Sequence, residues 1–270
     1  MKQRAISGTV FMAVILAAIL SGPLGFTALL VAIAVGGLWE LYGNMEKTGA
    51  VPHFTHKGIL VFIGGCATGL YAVFHLYYLP LETYFIIPLL LLAPLVLSLV
   101  GQVSSALVRA SMATLGFGYV VLCTSSLVHW AQLGSVGYQH HYLIGGLALI
   151  WSNDVFAYLL GRRFGRKKLA PALSPKKTWE GSLGGLFMAM VAGVVTAGIL
   201  GEPTWAWMGF GLVCGICATL GDLIESAFKR SLGVKDMGNL IPGHGGVLDR
   251  FDALLFAGPV GAAYIQWVFL

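Results

Sequence analysis

Hydrophobic positions along the chain gather into nine long runs, near 5–21, 23–43, 57–79, 83–100, 105–128, 142–161, 182–200, 204–226 and 247–269. Short polar or Gly/Pro breaks separate them. A helix needs roughly 20 apolar residues to cross a bilayer, so the pattern predicts an all-α, polytopic integral membrane protein with about nine transmembrane helices. The first run follows Met1-Lys2-Gln3-Arg4 and lacks a clear small-x-small cleavage site, so it reads as a span and not as a signal peptide. No connection is long enough for a separate soluble domain. Residues 1–270 are therefore expected to form a single membrane domain, with 1–140 mainly scaffold helices and 141–270 carrying the catalytic helices and loops. Two charges interrupt the scaffold, Glu40 near the end of run 2 and Arg109 a turn into run 5. Both are expected to snorkel toward the membrane surface. His129, His140 and His141, with Trp130 and Tyr142 beside them, suit an interfacial position.

Composition agrees with this pattern: 57% of residues are hydrophobic and only 10% are charged, against about a quarter charged in soluble domains. The distribution of charge adds a direction. With nine spans, the N-terminus and connections 2–3, 4–5, 6–7 and 8–9 share one side. All sixteen Lys and Arg lie there or in the first turns of helices leaving it. The opposite connections, around Gly22, Pro80, 129–141 and 201–204, carry none. The positive-inside rule makes the basic side cytoplasmic, so a multi-pass protein of the cell's inner (cytoplasmic) membrane with its active site facing the cytoplasm is expected. The net charge of +5 is thus a basic face suited to anionic lipid headgroups or a polyphosphate, and no nucleic-acid partner is expected. The four cysteines, Cys66, Cys123, Cys214 and Cys217, fall inside apolar runs. Cys214 and Cys217 have no second ligand pair for a metal and read as packing residues.

Polar chemistry concentrates in the last third of the chain. The stretch 222–252 holds five of the eleven acidic residues, Asp222, Glu225, Asp236, Asp249 and Asp252. Asp222, Glu225, Ser226 and Lys229 fall at i, i+3, i+4 and i+7 and share a helix face. A polar loop with Lys235 and Asp236 follows, then Pro242-Gly243-His244-Gly245-Gly246 just before the last apolar run. Asp249 and Asp252 lie one turn apart at its start. Carboxylate-bearing helix ends, a basic loop and a glycine-rich helix start describe a site for a metal and a phosphate. Upstream, Asp154 sits about two turns inside run 6, where an unpaired carboxylate costs several kcal/mol. The basic segment Arg162-Arg163-Phe164-Gly165-Arg166-Lys167-Lys168 follows, and its first part also suits a topology anchor. In Ser174-Pro175-Lys176-Lys177-Thr178, Ser174 reads as a helix N-cap with Pro175 at the first helical position. Lys176, Lys177 and Thr178 are then expected in the first helical turn, around a bound phosphate. Asp154, Asp222 and Asp249 are expected at one depth on three helices, ringed by cations. A divalent cation holding a polyphosphate explains both signs of charge.

These residues closely resemble the defining motif of the phosphatidate cytidylyltransferases, or CDP-diacylglycerol synthases. The motif runs from Ser226 through Phe228, Lys229, Arg230, Lys235, Asp236, Gly238, Ile241, Pro242, His244, Gly245, Gly246, Asp249 and Arg250 to Asp252. Asn153-Asp154 with Ala157, Tyr158 and Gly161, and the segment 174–181, look like the family's other shared segments. The resemblance is specific over about 150–252. It implies transfer of a cytidylyl group from CTP to phosphatidic acid, giving CDP-diacylglycerol and pyrophosphate with Mg²⁺, in phospholipid biosynthesis. It further implies Asp222 and Asp249 as metal-holding carboxylates, with Asp154 and Asp252 as further candidates, and a second cation, for which a monovalent ion is the candidate. Lys176, Lys177, Lys229, Arg230 and Lys235 are implied as neutralising the triphosphate or the lipid phosphate, an assignment the sequence leaves open. Ser226, Thr178, Asp236, Gly245, Gly246 and Arg250 complete the implied substrate site. For His244, donation to a phosphate oxygen and shaping of the loop stay equally open. Membrane lipids surround the site, and a homodimer is expected.

Other readings have recognisable signatures. A CDP-alcohol phosphotransferase carries aspartates separated by three residues on one helix, whereas these acids fall on separate helices. Another CTP-dependent lipid-phosphate nucleotidyltransferase would share the motif. A cation-coupled transporter usually shows repeated halves with broken helices near mid-bilayer, and here the acids sit toward one surface.

Overall fold

A computed structural model describes residues 2–49, 57–77, 92–97, 105–132, 137–240 and 245–269. His244, with Ile241 to Gly243, lies outside them, as does most of the expected fourth span. Eight long helices are seen: α1 (Lys2–Leu20), α2 (Pro23–Lys47), α3 (Lys57–Leu76), α4 (Ala106–Trp130), α5 (His140–Phe164), α6 (Trp179–Leu200), α7 (Thr204–Ser231) and α8 (Leu248–Val268). Seven of them, α2 to α8, are long and apolar enough to cross a membrane; within α1 the apolar stretch Ser7–Leu20 is shorter. The protein is a multi-pass, all-α membrane protein, as the hydrophobic runs predict. Packing sorts the chain into two compact units: Met1–Val128 with Ser231–Phe251, and His129–Arg230 with Asp252–Leu270.

In the first unit, α2 and α3 pack through small residues. At Gly65 a methyl group would press into Val35, and at Gly64 it would run into Leu38. Close helix approach of this kind drives association where lipid removes the hydrophobic incentive. α4 contains a wider π-turn over Phe117–Leu122, an interruption often found at functional or strained positions. One turn before it, the Tyr42 hydroxyl donates to the Ala113 carbonyl at 2.6 Å. Arg109 is 6% exposed and donates to Ser105 one turn earlier, at the start of the helix.

The second unit has an aromatic cluster at one end. Tyr142 stacks on Trp207, Phe210 stacks on Tyr264, and Trp130 meets Phe210 edge-on. The indole of Trp130 donates to the Gly258 carbonyl at 2.9 Å, beside Pro259 inside α8. Each such aromatic pair contributes about 0.5–1.5 kcal/mol beyond its buried area. The cluster anchors α7, whose other end carries Asp222 and Glu225.

Between α5 and α6 the chain forms a feature the sequence does not predict. Ser174–Thr178 is a strand, β2, paired antiparallel with β1 (Lys168–Ala170), so that Lys168 faces Thr178 and Ala170 faces Ser174. Ser174 is therefore not a helix N-cap, and Lys176, Lys177 and Thr178 do not form a first helical turn. The residue before a proline is pushed toward extended conformation, which sets Ser174. Pro175, lacking an N–H, is tolerated in a two-stranded edge. The cap falls to Thr178, whose Oγ1 accepts the Gly181 N–H at 3.2 Å. Glu180 closes the turn from the other side by accepting the Arg166 and Lys167 amides at 3.0 and 3.2 Å. Gly181 is required here: a Cβ would lie 2.6 Å from the Ala157 carbonyl and 2.8 Å from Gly161 Cα.

Candidate functional site

The second unit brings the basic hairpin to the acidic face of α7. Lys177 extends from β2 and its Nζ lies 2.6 Å from Asp222 Oδ2, with the two side chains 24% and 40% exposed. On the same face the Ser226 hydroxyl donates to Asp222 Oδ1 at 3.3 Å. Glu225 and Lys229 form the ion pair that their i, i+4 spacing predicts, at 2.5 Å, with Glu225 fully buried. Asp154 on α5 is exposed and lies within electrostatic range of Asp222 and Lys177. Asp252 feels Glu225, Asp222 and Asp154 together. Its carboxylate accepts the Ala253 amide at 2.7 Å. Within this unit, then, the acid that joins Asp154 and Asp222 is Asp252.

Asn153 holds the junction of the three helices beneath this cluster. It is 1% exposed and donates to Asp154 Oδ1 at 3.2 Å. Its own Oδ1 faces Gly185 of α6 and Gly215 of α7, where an added Cβ would stand 3.0 and 3.3 Å away. Side chains at either glycine would displace the carboxamide, and with it the neighbour that orients Asp154.

The first unit contains the loop that follows α7 and the start of α8. Asp249 Oδ2 accepts the Met237 and Gly246 amides at 2.8 and 2.9 Å. Gly245 adopts φ +86° and sits against this carboxylate. The Val247 and Leu248 amides donate to the two oxygens of Glu40 at 2.9 and 3.0 Å. Glu40 is only 9% exposed; its carboxylate is turned inward onto backbone and does not snorkel. Three of the amides at the glycine-rich helix start are thus held by carboxylates of the chain itself. Asn44, one turn along α2, donates to the Met237 carbonyl at 2.5 Å.

Of the remaining sequence candidates, Lys176 is exposed on β2, and Arg230 lies in the exposed last turn of α7. Lys235, Asp236 and Arg250 are exposed around the loop. Glu40 and Asn44 were not marked as site residues by the sequence, and Asn153 entered only within the shared segment around Asp154. A lone carboxylate near the end of an apolar run carries no signal when its partners are backbone amides.

Among the described residues, no three His, Cys, Asp or Glu side chains stand as a group ready to hold a metal. The arrangement instead offers separated carboxylates with interspersed lysines. Such a surface suits an anionic substrate bound together with a cation.

The chain matches the cytidylyltransferase family over residues 2–268. It is 33% identical over 261 residues to a protein of Bacillus subtilis (strain 168) named phosphatidate cytidylyltransferase, covering 96% of this chain and 95% of that one. A Staphylococcus aureus (strain COL) protein of the same name is 42% identical over 122 residues, 44% of this chain and 47% of that one. A Brucella abortus biovar 1 (strain 9-941) protein of that name is 47% identical over 111 residues, 41% of each chain. In these last two alignments the chain spans about half, or somewhat less, of the relative's length.

Proposed function

The chain belongs to the cytidylyltransferase family, and on that premise we propose that it transfers CMP from CTP to phosphatidic acid, releasing pyrophosphate and forming CDP-diacylglycerol. The observation that carries this reading is Lys177 of the hairpin meeting Asp222 of α7. It joins the basic segment and the acidic helix face, which the sequence separates, into one polar surface on an apolar protein. The names of the relatives supply the substrate class.

In the proposed reaction a phosphate oxygen of phosphatidate attacks the α-phosphorus of CTP. The new P–O bond forms as the bond to the β-phosphate oxygen breaks, and pyrophosphate leaves with that electron pair. The attacking group is already an anion, so no side chain has to remove a proton. The protein's task is positioning and charge neutralisation. Lys177 and Lys176 meet phosphate oxygens from the hairpin, and Lys229, Arg230 and Lys235 do so from the end of α7 and the loop beyond. Ser226 holds Asp222 in orientation, and Asn153 does the same for Asp154.

Mg²⁺ fits the residues present. Asp154, Asp222, Glu225 and Asp252 set four carboxylates against the two ammonium groups of Lys177 and Lys229, a surplus of acids that a divalent cation would offset. Mg²⁺ is ordinarily bound by one or two carboxylates, with water and substrate phosphates completing its shell. A ready-made cage is therefore not required. On the family resemblance Asp222 and Asp249 are each candidate metal-holding carboxylates, with Asp154 and Asp252 as further donors; bound, the ion would neutralise charge on the phosphate oxygens. A second cation and a homodimer belong to the same reading. The positive-inside rule supports a site facing the cytoplasm of a bacterial inner membrane.

Transfer of radiolabel from α-labelled CTP to phosphatidate in detergent micelles, with and without Mg²⁺, tests the proposal. Label moving into the lipid fraction only with both phosphatidate and Mg²⁺ is the expected result. Absence of lipid-bound label with phosphatidate, but transfer to another lipid phosphate, would reassign the substrate.

A further inference from the structure

We propose that Glu40, on the second helix and far from the motif in sequence, is a positioning residue that fixes the start of α8 and with it Asp249. The proposal rests on the cytidylyltransferase reading for its effect on turnover, though not for its effect on structure. Val247 is the residue immediately before α8: its carbonyl accepts the Arg250 and Phe251 amides at 3.0 and 3.2 Å. Its own N–H, and that of Leu248, have no intrahelical acceptor, as for the first residues of any helix. A Ser, Thr, Asp or Asn at the cap ordinarily accepts one of these. Here residues 245–247 are Gly, Gly and Val, with no side chain able to do so. Glu40 supplies the missing cap from another helix, one oxygen to each amide.

The loop is shaped to admit that carboxylate. A Cβ on Gly238 or on Gly246 would run into Glu40, although neither glycine has the positive φ that would require glycine for its backbone. Both positions are thus small because Glu40 passes between them. Four residues along α2, Asn44 holds the Met237 carbonyl while also donating to the Glu40 carbonyl at 2.9 Å. Glu40 and Asn44 therefore hold the two ends of the segment 237–248 from one helix face. Asp249 in turn accepts the Met237 and Gly246 amides, at the residue whose carbonyl Asn44 holds and the residue next to the first amide that Glu40 holds. A helix N-terminus left open would attract any anion. Glu40 occupies that place, so that a phosphate cannot settle there in place of its productive position.

The test compares Glu40→Gln, Glu40→Asp and Gly238→Ala in the full-length protein in detergent, by amide hydrogen exchange of the peptide covering 237–252 and by turnover. Glu40→Gln keeps the size but leaves one acceptor oxygen, and Glu40→Asp is a methylene too short to reach. Gly238→Ala presses on the carboxylate from the loop side and leaves α2 itself unaltered. The expected result is at least tenfold faster exchange across 237–252 in Glu40→Asp, an intermediate change in Glu40→Gln, and unchanged exchange in α5 to α7. Turnover is expected to fall in the same order, about 10- to 100-fold, with the KM for CTP within about threefold, since the basic hairpin is untouched. Unaltered exchange in 237–252 in all three variants overturns the proposal, as does faster exchange with full turnover. If the wild-type protein transfers no CMP to phosphatidate, the substrate reading fails while the exchange result still decides the role of Glu40.

Discussion

Replacing Lys177 by Met removes one ammonium group and keeps most of the side chain's bulk. Two consequences of opposite sign follow from the 2.6 Å pair with Asp222. Because Asp222 is 40% exposed, the pair belongs with solvent-screened ion pairs, worth about 0.2–1 kcal/mol. That is the advantage Asp222 gains toward another cation when Lys177 leaves. At an RT of about 0.59 kcal/mol it lowers the Mg²⁺ concentration at half-maximal activity by about 1.4- to 5-fold. Turnover should move the other way. A positioned charge on phosphate oxygens in a transition state is comparable to an oxyanion donor, so kcat/KM falls by about 10²–10³. The stability of the folded protein changes by no more than the pair itself. Mg²⁺ titrations of CMP transfer in micelles, with thermal unfolding alongside, give all three quantities. A rise in the half-maximal Mg²⁺ concentration would show that Asp222 and the ion do not compete with Lys177. Activity within threefold of wild type would remove Lys177 from the phosphate site.

Asp222→Asn and Asp249→Asn should each reduce turnover by more than about 10³, and the double variant should be scarcely worse, because groups acting as a unit are not additive; additive losses in a steady-state assay would separate their roles. Glu225→Gln strips Lys229 of a buried carboxylate. It should lower stability by about 3–5 kcal/mol, measured by denaturation in detergent, with partial recovery in Glu225→Gln/Lys229→Met. Thr178→Val should cost about 1 kcal/mol through loss of the α6 cap while Thr178→Ser does not, and equal stabilities would mean the cap is dispensable. Cysteines placed at Arg166 and Thr204, which flank α6, should label from opposite sides of the membrane, with Arg166 cytoplasmic.

The helices were legible because a bilayer demands long apolar runs, and seven of the runs appear as helices of spanning length. The acidic face of α7 was legible for the same kind of reason, since Asp222, Glu225, Ser226 and Lys229 recur at helical spacing. Periodicity fails where the chain leaves the helix. Ser174-Pro175 carries the letters of a helix start, but a neighbouring strand at Lys168–Ala170 offers a pairing that local propensity does not register. Glu40 was misread for a related reason. Its acceptors' partners are main-chain amides 207 and 208 residues away, and amides are the same at every position. Glycines within the spans serve the packing of the chain itself, such as Gly145 against Trp207 and Gly211 against the Ala189 backbone.

The reach of Glu40 also sets a timetable for biogenesis. α2 leaves the ribosome 207 residues before its first partner amide, an interval of about 10–40 s at ordinary synthesis rates. Through that interval a carboxylate has entered the membrane with its helix while the groups that will hold it have not been made. An acidic residue in a nascent span is costly to insert, so α2 has reason to rest shallowly, or to keep its acid protonated, until the C-terminal segment arrives. Arrival of residues 231–251 then completes the first unit from the opposite end of the gene. Chains truncated before Val247 would be left with an acid lacking its cap in a half-built unit, a species that membrane proteases can distinguish from the finished protein.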